Sequence, residues 1–316
     1  MDISSVQAAR ERISEDVVRT PLIKAPKIAA LPKAALYLKC ENFQITRSFK
    51  PRGAFNLLRG LGCAERGDAV VTRSSGNFAQ AVAYASSRLG IEATIVMPEG
   101  APKIKAERTK SFGAKIDICG KTSFEGDERA KSLSQSLGAV LLSPYDHELV
   151  IAGQGTAALE VCEELEQLDY FYAPVGGGGL MGGCSLVMKH FMPSCKVIVA
   201  EPSGADDFAK SIAAGSRVKL ESVNTIADGL RTLSVGETNW PILQRYVDEV
   251  AVVSDQQIVE AMKWLYFEMG IVVEPSGAAS VAAAFRNLPR ESAATAVCVI
   301  SGGNVDPIDF QNYLAQ

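Results

Sequence analysis

The stretch DYFYAPVGGGGLMGG, residues 169–183, joins a predicted strand to a predicted helix through four consecutive glycines. Aromatic and apolar residues favour a strand over 169–175, and the pattern that follows predicts a helix from Leu180 to His190. Backbone N–H groups at the start of a helix can converge on an anion, and glycine leaves room for a close approach. The stretch therefore predicts a βα unit whose turn can bind an anion such as a phosphate.

Short apolar runs alternate with helical patterns along most of the chain. Strands are predicted for ALYLKCE (35–41), AVVT (69–72), ATIVMP (93–98), AKIDIC (114–119), AVLLS (139–143), KVIVAE (196–201) and TAVCVIS (295–301), and a long polar helix for 123–137. This spacing predicts an α/β fold with parallel or mostly parallel sheets covered by helices. We expect two lobes with a cleft between them: a large domain of residues 1–60 and 146–316, and a small domain of residues 61–145.

The composition is that of a globular protein that does not bind nucleic acid. Of the 316 residues, 47% are hydrophobic and 22% are charged, and the formal net charge is -4. A nucleic-acid partner would require clustered Lys and Arg, and no apolar run approaches the roughly 18 residues of a membrane span. The polar N-terminus also lacks the apolar core of a signal peptide. We therefore expect a cytoplasmic protein with a small-molecule ligand and no membrane partner.

Three further segments carry polar side chains that suit a small ligand. ITRSFKPRGAFN (45–56) places Lys50 between Phe49 and a proline, TRSSGNFAQ (72–80) offers Ser74, Ser75, Gly76 and Asn77 to a carboxylate, and SGGN (301–304) places Ser301 after the last strand. Taken singly, these are also explained by a solvated lysine, helix caps and a turn. Together with the glycine-rich turn they describe a flat aromatic ring bearing a phosphate, held beside a lysine and a carboxylate pocket.

Two other patterns leave alternatives open. Gly177, Gly179 and Gly182 satisfy G-x-G-x-x-G, with Glu201 near the place of a ribose-binding acid, so a nicotinamide-dependent oxidoreductase is the alternative from a different class. It leaves Lys50 without a role. In EPSGADD (201–207), Glu201 and Asp207 flank a Pro-Gly bend, and carboxylates with a loop carbonyl suit Mg²⁺ or Ca²⁺. A solvated acidic loop explains the same residues without a metal.

The motifs, taken in order, resemble those of the fold-type II pyridoxal-phosphate enzymes of the serine racemase and serine/threonine dehydratase family. The resemblance runs through SFKPRGA, SSGN, VIAGQGTAALE (150–160), PVGGGGL, AEPSGADD, ADG (227–229), EPSGA (274–278) and SGGN. It implies a two-lobed fold like that of the tryptophan synthase β-subunit, with pyridoxal 5′-phosphate in the cleft. It also implies a homodimer.

The resemblance further implies a role for each motif residue. Lys50 would hold the cofactor covalently and move the substrate α-proton, and the other cofactor contacts would be Phe49 beside the ring, Asn77 at the 3′ oxygen, Gly176, Gly177, Gly178 and Gly179 at the phosphate, and Ser301 at the pyridine nitrogen. A neutral hydroxyl at that nitrogen makes the ring a moderate electron sink, which favours elimination or racemisation over transamination.

The implied substrate and metal contacts involve two other segments. Ser74, Ser75 and Gly76 would hold the substrate carboxylate, and Ser75 would be the second catalytic residue, on the ring face opposite Lys50. Glu201, Asp207 and the carbonyl of Ala205 would bind a divalent cation (Mg²⁺, Ca²⁺ or Mn²⁺) that orders the fold without taking part in the chemistry.

The expected activity is that of a dehydratase, or ammonia-lyase, that eliminates water from L-threonine or L-serine to give a 2-oxo acid and ammonia. Serine racemase is the alternative, and the two activities could coexist; 3-hydroxyaspartate ammonia-lyase comes third. Two departures from the family pattern bear on this choice. Arg47 replaces the usual glycine before Ser48-Phe49-Lys50, and it could attract a second substrate carboxylate. Phe78 replaces the usual histidine after Asn77, which puts cofactor affinity in question.

Overall fold

The computed structural model describes residues 1–28, 31–62, 67–101, 103–291 and 293–316. The helices are α1 (Ile3–Ile13), α2 (Lys50–Gly60), α3 (Asn77–Leu89), α4 (Lys103–Ser111), α5 (Ser123–Leu137), α6 (Glu148–Glu164), α7 (Gly179–Phe191), α8 (Asp207–Ala214), α9 (Asn239–Tyr246), α10 (Asp255–Met269), α11 (Pro275–Asn287) and α12 (Pro307–Ala315). The strands are β1 (Leu22–Lys24), β2 (Ala35–Lys39), β3 (Ala69–Arg73), β4 (Glu92–Met97), β5 (Lys115–Ile118), β6 (Val140–Leu141), β7 (Tyr170–Pro174), β8 (Lys196–Pro202), β9 (Glu249–Val253) and β10 (Thr295–Val299). This alternation confirms the predicted α/β fold.

One sheet combines strands from the N-terminal segment with strands from the second half of the chain. Its order is β1-β2-β10-β7-β8-β9, with β1 antiparallel to β2 and the other pairs parallel. The register of β2 with β10 runs from Ala35 opposite Thr295 to Lys39 opposite Val299. A strand from the N-terminal segment therefore pairs with a strand from the end of the chain.

A second sheet is formed by the middle of the chain. Its order is β5-β4-β3-β6, and its strand pairs are parallel. Parallel strands need crossover connections, and α3, α4 and α5 lie in sequence between these strands, as βαβ units require. The two sheets use separate parts of the chain, in agreement with a two-lobed fold. The domain boundaries at residues 60 and 146 stay a prediction.

The large sheet is buried on both of its faces. In β7, Phe171 and Ala173 pack into one hydrophobic cluster, whereas Tyr172 packs into the other. In β10, Val297 and Cys298 divide between the same two clusters. Successive side chains of a strand point to opposite faces, so near-continuous apolar strands are what a sheet covered by helices on both sides requires.

The segments singled out by the sequence begin where parallel strands end. Ser74 follows β3, the glycine-rich turn follows β7, and Ile300-Ser301 follows β10. Ligands of open α/β sheets bind at this carboxyl edge, so the fold brings these segments to the edge where a site is expected. Within the described ranges, no helix combines the length and the hydropathy needed to cross a membrane.

Candidate active site

Lys50 is the first residue of α2, and its side chain is half-buried between aromatic rings. Its Nζ lies 4.7 Å from the ring centroid of Phe49 and 5.8 Å from that of Phe78, and it donates a 3.3 Å hydrogen bond to the carbonyl of Pro144. Burial lowers the pKa of Lys50 to about 8, although the negative charge of Glu274 opposes the shift. A larger fraction of the amine is therefore neutral near pH 7 than for an exposed lysine.

The backbone before Lys50 is fixed to the segment that follows β10. Ser48 and Gly302 form an antiparallel bridge, and the Phe49 N–H donates to the Ser301 carbonyl at 3.1 Å. Ser301 is 3% exposed, and its hydroxyl donates to the Ser276 carbonyl at 3.2 Å. The segments around Phe49 and Ser301, some 250 residues apart in sequence, therefore form one wall of the site. Phe49 and Ser301, both predicted to contact the cofactor ring, are neighbours in this wall.

Asn77 belongs to a buried polar chain that crosses the site. Its Nδ2 donates to Glu274 Oε1 at 2.5 Å, and its Oδ1 accepts from Asn304 Nδ2 at 2.9 Å. Glu274 is 1% exposed, and its Oε2 has no hydrogen-bond partner among the described residues, although Lys105 Nζ lies 3.8 Å away. Burial raises the pKa of Glu274, and the positive charge of Lys105 limits that rise. Glu274 belongs to the EPSGA motif, but sequence analysis did not identify it as a site residue.

Ser74, Ser75 and Gly76 form a half-buried turn at the start of α3. The Gly76 cap makes no side-chain hydrogen bond to the helix, and a β-carbon placed on Gly76 would meet no described atom within 4 Å. The glycine therefore borders open space, and no side chain caps the N-terminus of α3. This geometry suits a carboxylate, which can accept hydrogen bonds from a helix N-terminus.

The glycine-rich turn between β7 and α7 has the backbone geometry that the sequence predicted. Gly176 and Gly178 have φ angles of 48° and 99°, which residues with a β-carbon rarely adopt. The N–H groups of Gly176, Gly177 and Gly179 donate to no backbone carbonyl in the described part of the chain. Unpaired N–H groups at a helix N-terminus form a cradle for an anion.

Tyr145, which sequence analysis overlooked, packs directly against this turn. A β-carbon on Gly177 would lie 2.3 Å from the Tyr145 ring. Asn239 Nδ2 donates to the carbonyls of Tyr145 at 2.9 Å and Gly177 at 3.1 Å and so fastens the two loops together. Neither residue belongs to a recognisable motif, because each acts by a contact between segments distant in sequence.

The predicted metal residues lie together at the end of β8 and the start of α8. Glu201 and Asp207 are each 1% exposed and Ala205 is 2% exposed. The Glu201 carboxylate accepts from the N–H groups of Phe208 at 2.8 Å and Ala209 at 2.9 Å, and Asp207 Oδ2 accepts from Val235 N–H at 2.8 Å. These contacts place Glu201 as an acceptor at the N-terminus of α8.

Burial raises the pKa of Glu201 to about 8 and that of Asp207 to about 7. Neither carboxylate forms an ion pair with a described lysine or arginine, so the pair requires protons or a cation to balance its charge. Among the residues that the structure describes, no group of three or more His, Cys, Asp and Glu side chains could hold a metal. Any cation here would depend on two carboxylates and backbone carbonyls.

Comparison with known proteins places the chain among enzymes of one cofactor class. The family model described as "Pyridoxal-phosphate dependent enzyme" matches residues 13–302. A serine racemase of Oryza sativa subsp. indica is 42% identical over 311 residues, which cover 96% of this chain and 91% of that protein. The L-threo-3-hydroxyaspartate ammonia-lyase of Saccharomyces cerevisiae is 39% identical over 298 residues, which cover 94% and 91%. The solved structure of the T.th. threonine deaminase has a TM-score of 0.91 and 39% identity, covering 97% of this chain and 99% of that one.

These similarities decide between the two cofactors that the glycine pattern left open. They favour pyridoxal phosphate over a dinucleotide, and the parallel-rich α/β architecture is that of the fold-type II enzymes. The resemblance inferred from the sequence motifs is confirmed, and the chain belongs to the family of pyridoxal-phosphate dependent enzymes.

Proposed function

We propose that this protein is a pyridoxal-phosphate-dependent ammonia-lyase that removes water from a β-hydroxy amino acid, leaving a 2-oxo acid and ammonia. The observation that carries the proposal is the position of Lys50, half-buried between Phe49 and Phe78. The relatives support the reaction class, because their names include L-threo-3-hydroxyaspartate ammonia-lyase and threonine deaminase. L-serine and L-threonine are the substrates that the sequence motifs first suggested.

The residues present fit the cofactor. The unpaired N–H groups of Gly176, Gly177 and Gly179 suit its phosphate, and Lys50 is the amine that would hold it. Asn77 and Ser301 are the proposed contacts of the ring oxygen and the ring nitrogen. Once bound, pyridoxal phosphate supplies the electron sink that stabilises negative charge on the substrate α-carbon.

The protein's own groups would orient the substrate and move its protons. The turn formed by Ser74, Ser75 and Gly76 would bind the substrate carboxylate at the N-terminus of α3, next to the open space at Gly76. Lys50, with its lowered pKa, would take the α-proton as a general base. Loss of the β-hydroxyl as water, followed by hydrolysis of the released enamine, yields the 2-oxo acid and ammonia.

Serine racemisation is the second candidate function, because the rice relative carries that name. Racemisation requires a second proton donor on the face opposite the base, and Ser75 is the residue we propose for it. Both activities can share one site, since they begin with removal of the same α-proton. They differ in whether the β-hydroxyl leaves before a proton returns.

A substrate panel tests the function. Protein saturated with pyridoxal phosphate should release a 2-oxo acid from at least one of L-serine, L-threonine and L-threo-3-hydroxyaspartate, and chiral chromatography should detect D-serine formed from L-serine. Ser75→Ala should lower D-serine formation by about 100-fold, because one proton donor is lost, and oxo-acid release much less. Ser87→Ala, an exposed serine on the helix that follows Ser75, is the control. Cofactor-bound protein that yields neither product would contradict the proposal.

We further propose that Glu201, Asp207 and the carbonyl of Ala205 bind a divalent cation that stabilises the loop before α8. The support is the burial of two carboxylates without an ion-pair partner among the described residues. Such a site holds its charge favourably only when a cation or protons are bound. The predicted homodimer and cytoplasmic location remain predictions.

Metal addition tests this site through stability. In protein treated with chelator, adding Mg²⁺, Ca²⁺ or Mn²⁺ at about 100 times its Kd should add about 2.7 kcal/mol to the free energy of unfolding, which scanning calorimetry reads as a rise in Tm. In the folded protein, the pKa of Glu201 is raised from 4.5 to about 8 and that of Asp207 from 3.8 to about 7. The folded state therefore binds more protons than the unfolded state between the ordinary and the raised pKa values, and the stability of the metal-free protein falls as the pH rises through this range. At a fixed metal concentration, the rise in Tm should therefore be larger at pH 8 than at pH 6, where protons compete with the cation for the carboxylates. Glu201→Gln should abolish it, and the exposed control Glu221→Gln should not; an equal rise in both variants would contradict the site.

A further inference from the structure

An arginine stands beside the proposed carboxylate turn and has no role in the function described so far. Arg73 is the last residue of β3 and directly precedes Ser74, Ser75 and Gly76. Its side chain is 35% exposed, so it is neither a core residue nor a fully solvated one. This cation is joined by one peptide bond to the turn that is proposed to bind the substrate carboxylate.

The neighbouring helix leaves space for this arginine. Gly126 lies in the first turn of α5, and a β-carbon there would come within 2.7 Å of Arg73 Cδ. Glycine is a poor residue for a helix interior, since it lowers helix stability relative to alanine. The aliphatic part of the Arg73 side chain therefore packs against α5 at Gly126, where the absence of a β-carbon leaves room for it.

The guanidinium is held at one nitrogen and open at the others. Arg73 Nε donates to Asp127 Oδ1 at 2.5 Å, and Asp127 is itself half exposed. Nη1 and Nη2 donate to no atom in the parts of the chain that the structure describes. A guanidinium edge with free donors is the group that best matches a carboxylate, which it can bind through two parallel hydrogen bonds.

The charge of Arg73 also acts on the residue that packs against the glycine-rich turn. Burial raises the pKa of Tyr145, and the positive charge of Arg73 offsets part of that rise, so the two side chains are close enough to interact. Tyr145 in turn packs against Gly177. Because Arg73 ends β3 and Ser74 follows directly, the guanidinium belongs to the same carboxyl edge of the small sheet as the serine turn.

We propose that Arg73 is a specificity-determining residue that binds a second carboxylate on the substrate side chain, and that Gly126 and Asp127 hold it in position for this role. The inference rests on the proposed lyase function and narrows its substrate class to β-hydroxy amino acids with an acidic side chain. The turn at Ser74–Gly76 would bind the α-carboxylate, and Arg73 the other. An uncharged side chain would leave the guanidinium edge without its partner.

Arg47 is the competing cation, because it also departs from the family pattern. It is exposed, it has a φ of 57°, and its positive charge contributes to lowering the pKa of Arg108, whose main cause is burial. The Gly303 N–H donates to the Arg47 carbonyl, and Arg108 donates to Asn304, so this pair of arginines lies at the segment that follows β10. Arg73 directly precedes the serine turn, which favours it over Arg47, and variants of both residues separate the two assignments.

The test compares an acidic with a neutral substrate in the cofactor-loaded protein. Arg73→Met should lower kcat/KM for L-threo-3-hydroxyaspartate by about 100-fold, the loss expected for a charge-assisted hydrogen-bonded pair, and change kcat/KM for L-threonine by less than about threefold. Gly126→Ala keeps the charge but displaces Arg73, and should reproduce most of the selective loss. Arg129→Met, on the same helix and paired with Asp117, is the control and should behave like wild type.

Calorimetric titration provides a readout that does not depend on turnover. Succinate, which carries two carboxylates, should bind to the wild-type protein more tightly than butyrate, and Arg73→Met should remove that preference. Asp127→Asn keeps an oxygen that can accept from Arg73 Nε but removes the negative charge beside the guanidinium, so this variant should keep the preference for succinate and bind it more tightly than wild type.

Several outcomes would overturn the role of Arg73. An equal loss for both substrates would assign Arg73 to the cofactor phosphate or to folding. A selective loss in Arg47→Met instead of Arg73→Met would assign the role to Arg47. The third outcome is that the wild-type protein consumes L-threonine or L-serine but does not turn over L-threo-3-hydroxyaspartate. In the last case the lyase function stands and only its acidic substrate class fails. A cofactor-bound wild-type protein that consumes none of the three would instead refute the proposed function itself.

Discussion

Replacing Lys50 with alanine should reduce 2-oxo acid release by about four orders of magnitude or more and remove the visible absorbance of the covalently held cofactor. The variant loses two functions at once, since the same amine is proposed to hold the cofactor and to take the α-proton. Phe49 and Phe78 would still line the site. Lys105, the lysine that contacts Glu274 among the residues that the structure describes, is paired with Asp228 and so does not offer a free amine in place of Lys50.

The setting of Lys50 explains why this amine can act near neutral pH. Its pKa is lowered from 10.5 to about 8, so at pH 7.5 roughly a quarter of the amine is neutral, compared with about a thousandth for an unperturbed lysine. Burial is the main cause, since desolvation disfavours the charged form, and the two aromatic rings form part of the surroundings of the amine. Desolvation is thus the physical reason why the lysine of the SFKP sequence has a lowered pKa.

Absorbance spectra and a single-turnover assay measure the effect. Lys24→Ala is a matched control, because Lys24 also lies near an aromatic ring, 5.8 Å from the centroid of Tyr37, but is exposed and outside the site. It should retain both the band and the activity. If Lys50→Ala kept the visible band after dialysis, the covalent role would belong to another lysine and the proposed site would have to be moved.

Sequence patterns predicted the elements well where the chemistry is local. The helix predicted for residues 123–137 has those bounds in the structure, because Thr122 and Glu125 form a capping box at its start and Gly138 ends it in a left-handed conformation. The strand-turn-helix arrangement around the four consecutive glycines was predicted in the same way, from the strand pattern before them and the helical pattern after them. Such signals lie within a few residues of one another.

Contacts between distant segments could not be predicted in this way. Asn77 and Glu274 are 197 positions apart, and their hydrogen bond depends on how the ends of the two sheets meet. The packing of Tyr145 on Gly177 and of Arg73 on Gly126 likewise requires the folded backbone. Single motifs could suggest the ligands, but the partner of each motif residue emerged only from the structure.

Arg52 is the position where we expect the largest effect on stability. The residue is fully buried in α2, two positions after Lys50, and its guanidinium contacts the carboxylates of Glu41 at 2.8 and 2.9 Å and of Glu160 at 2.8 Å. Lys39 Nζ also donates to Glu160, at 2.6 Å. Two buried cations and two buried carboxylates thus form a network beneath the site, and the partly exposed Arg10 joins it with a 3.2 Å contact to Glu160.

Arg52→Ala should lower the free energy of unfolding by about 3–5 kcal/mol, because Glu41 and Glu160 would stay buried with Lys39 as their main remaining counter-charge. Urea denaturation of the cofactor-saturated protein measures this loss. Arg59→Ala on the same helix is the matched control: Arg59 pairs with Asp16 and is 38% exposed, so its loss should cost about 0–1 kcal/mol. Equal losses in the two variants would mean that the buried network contributes no more than a surface ion pair.

The same network predicts how acid should act on the two proteins. Burial alone would raise the pKa of Glu160, but Arg52 and Lys39 hold it below its ordinary value of 4.5. The stability from this ionised group is therefore present above pH 4.5 in the wild type and is lost as pH falls through the lowered pKa. In Arg52→Ala, the main positive charge that offsets the effect of burial on Glu160 is removed. The pKa of Glu160 should therefore rise, and its ionised form should destabilise the fold near neutral pH. The stability gap between the proteins should consequently narrow on acidification; a gap that stayed constant from about pH 7 to about pH 4 would show that lost packing, and not charge, accounts for the destabilisation.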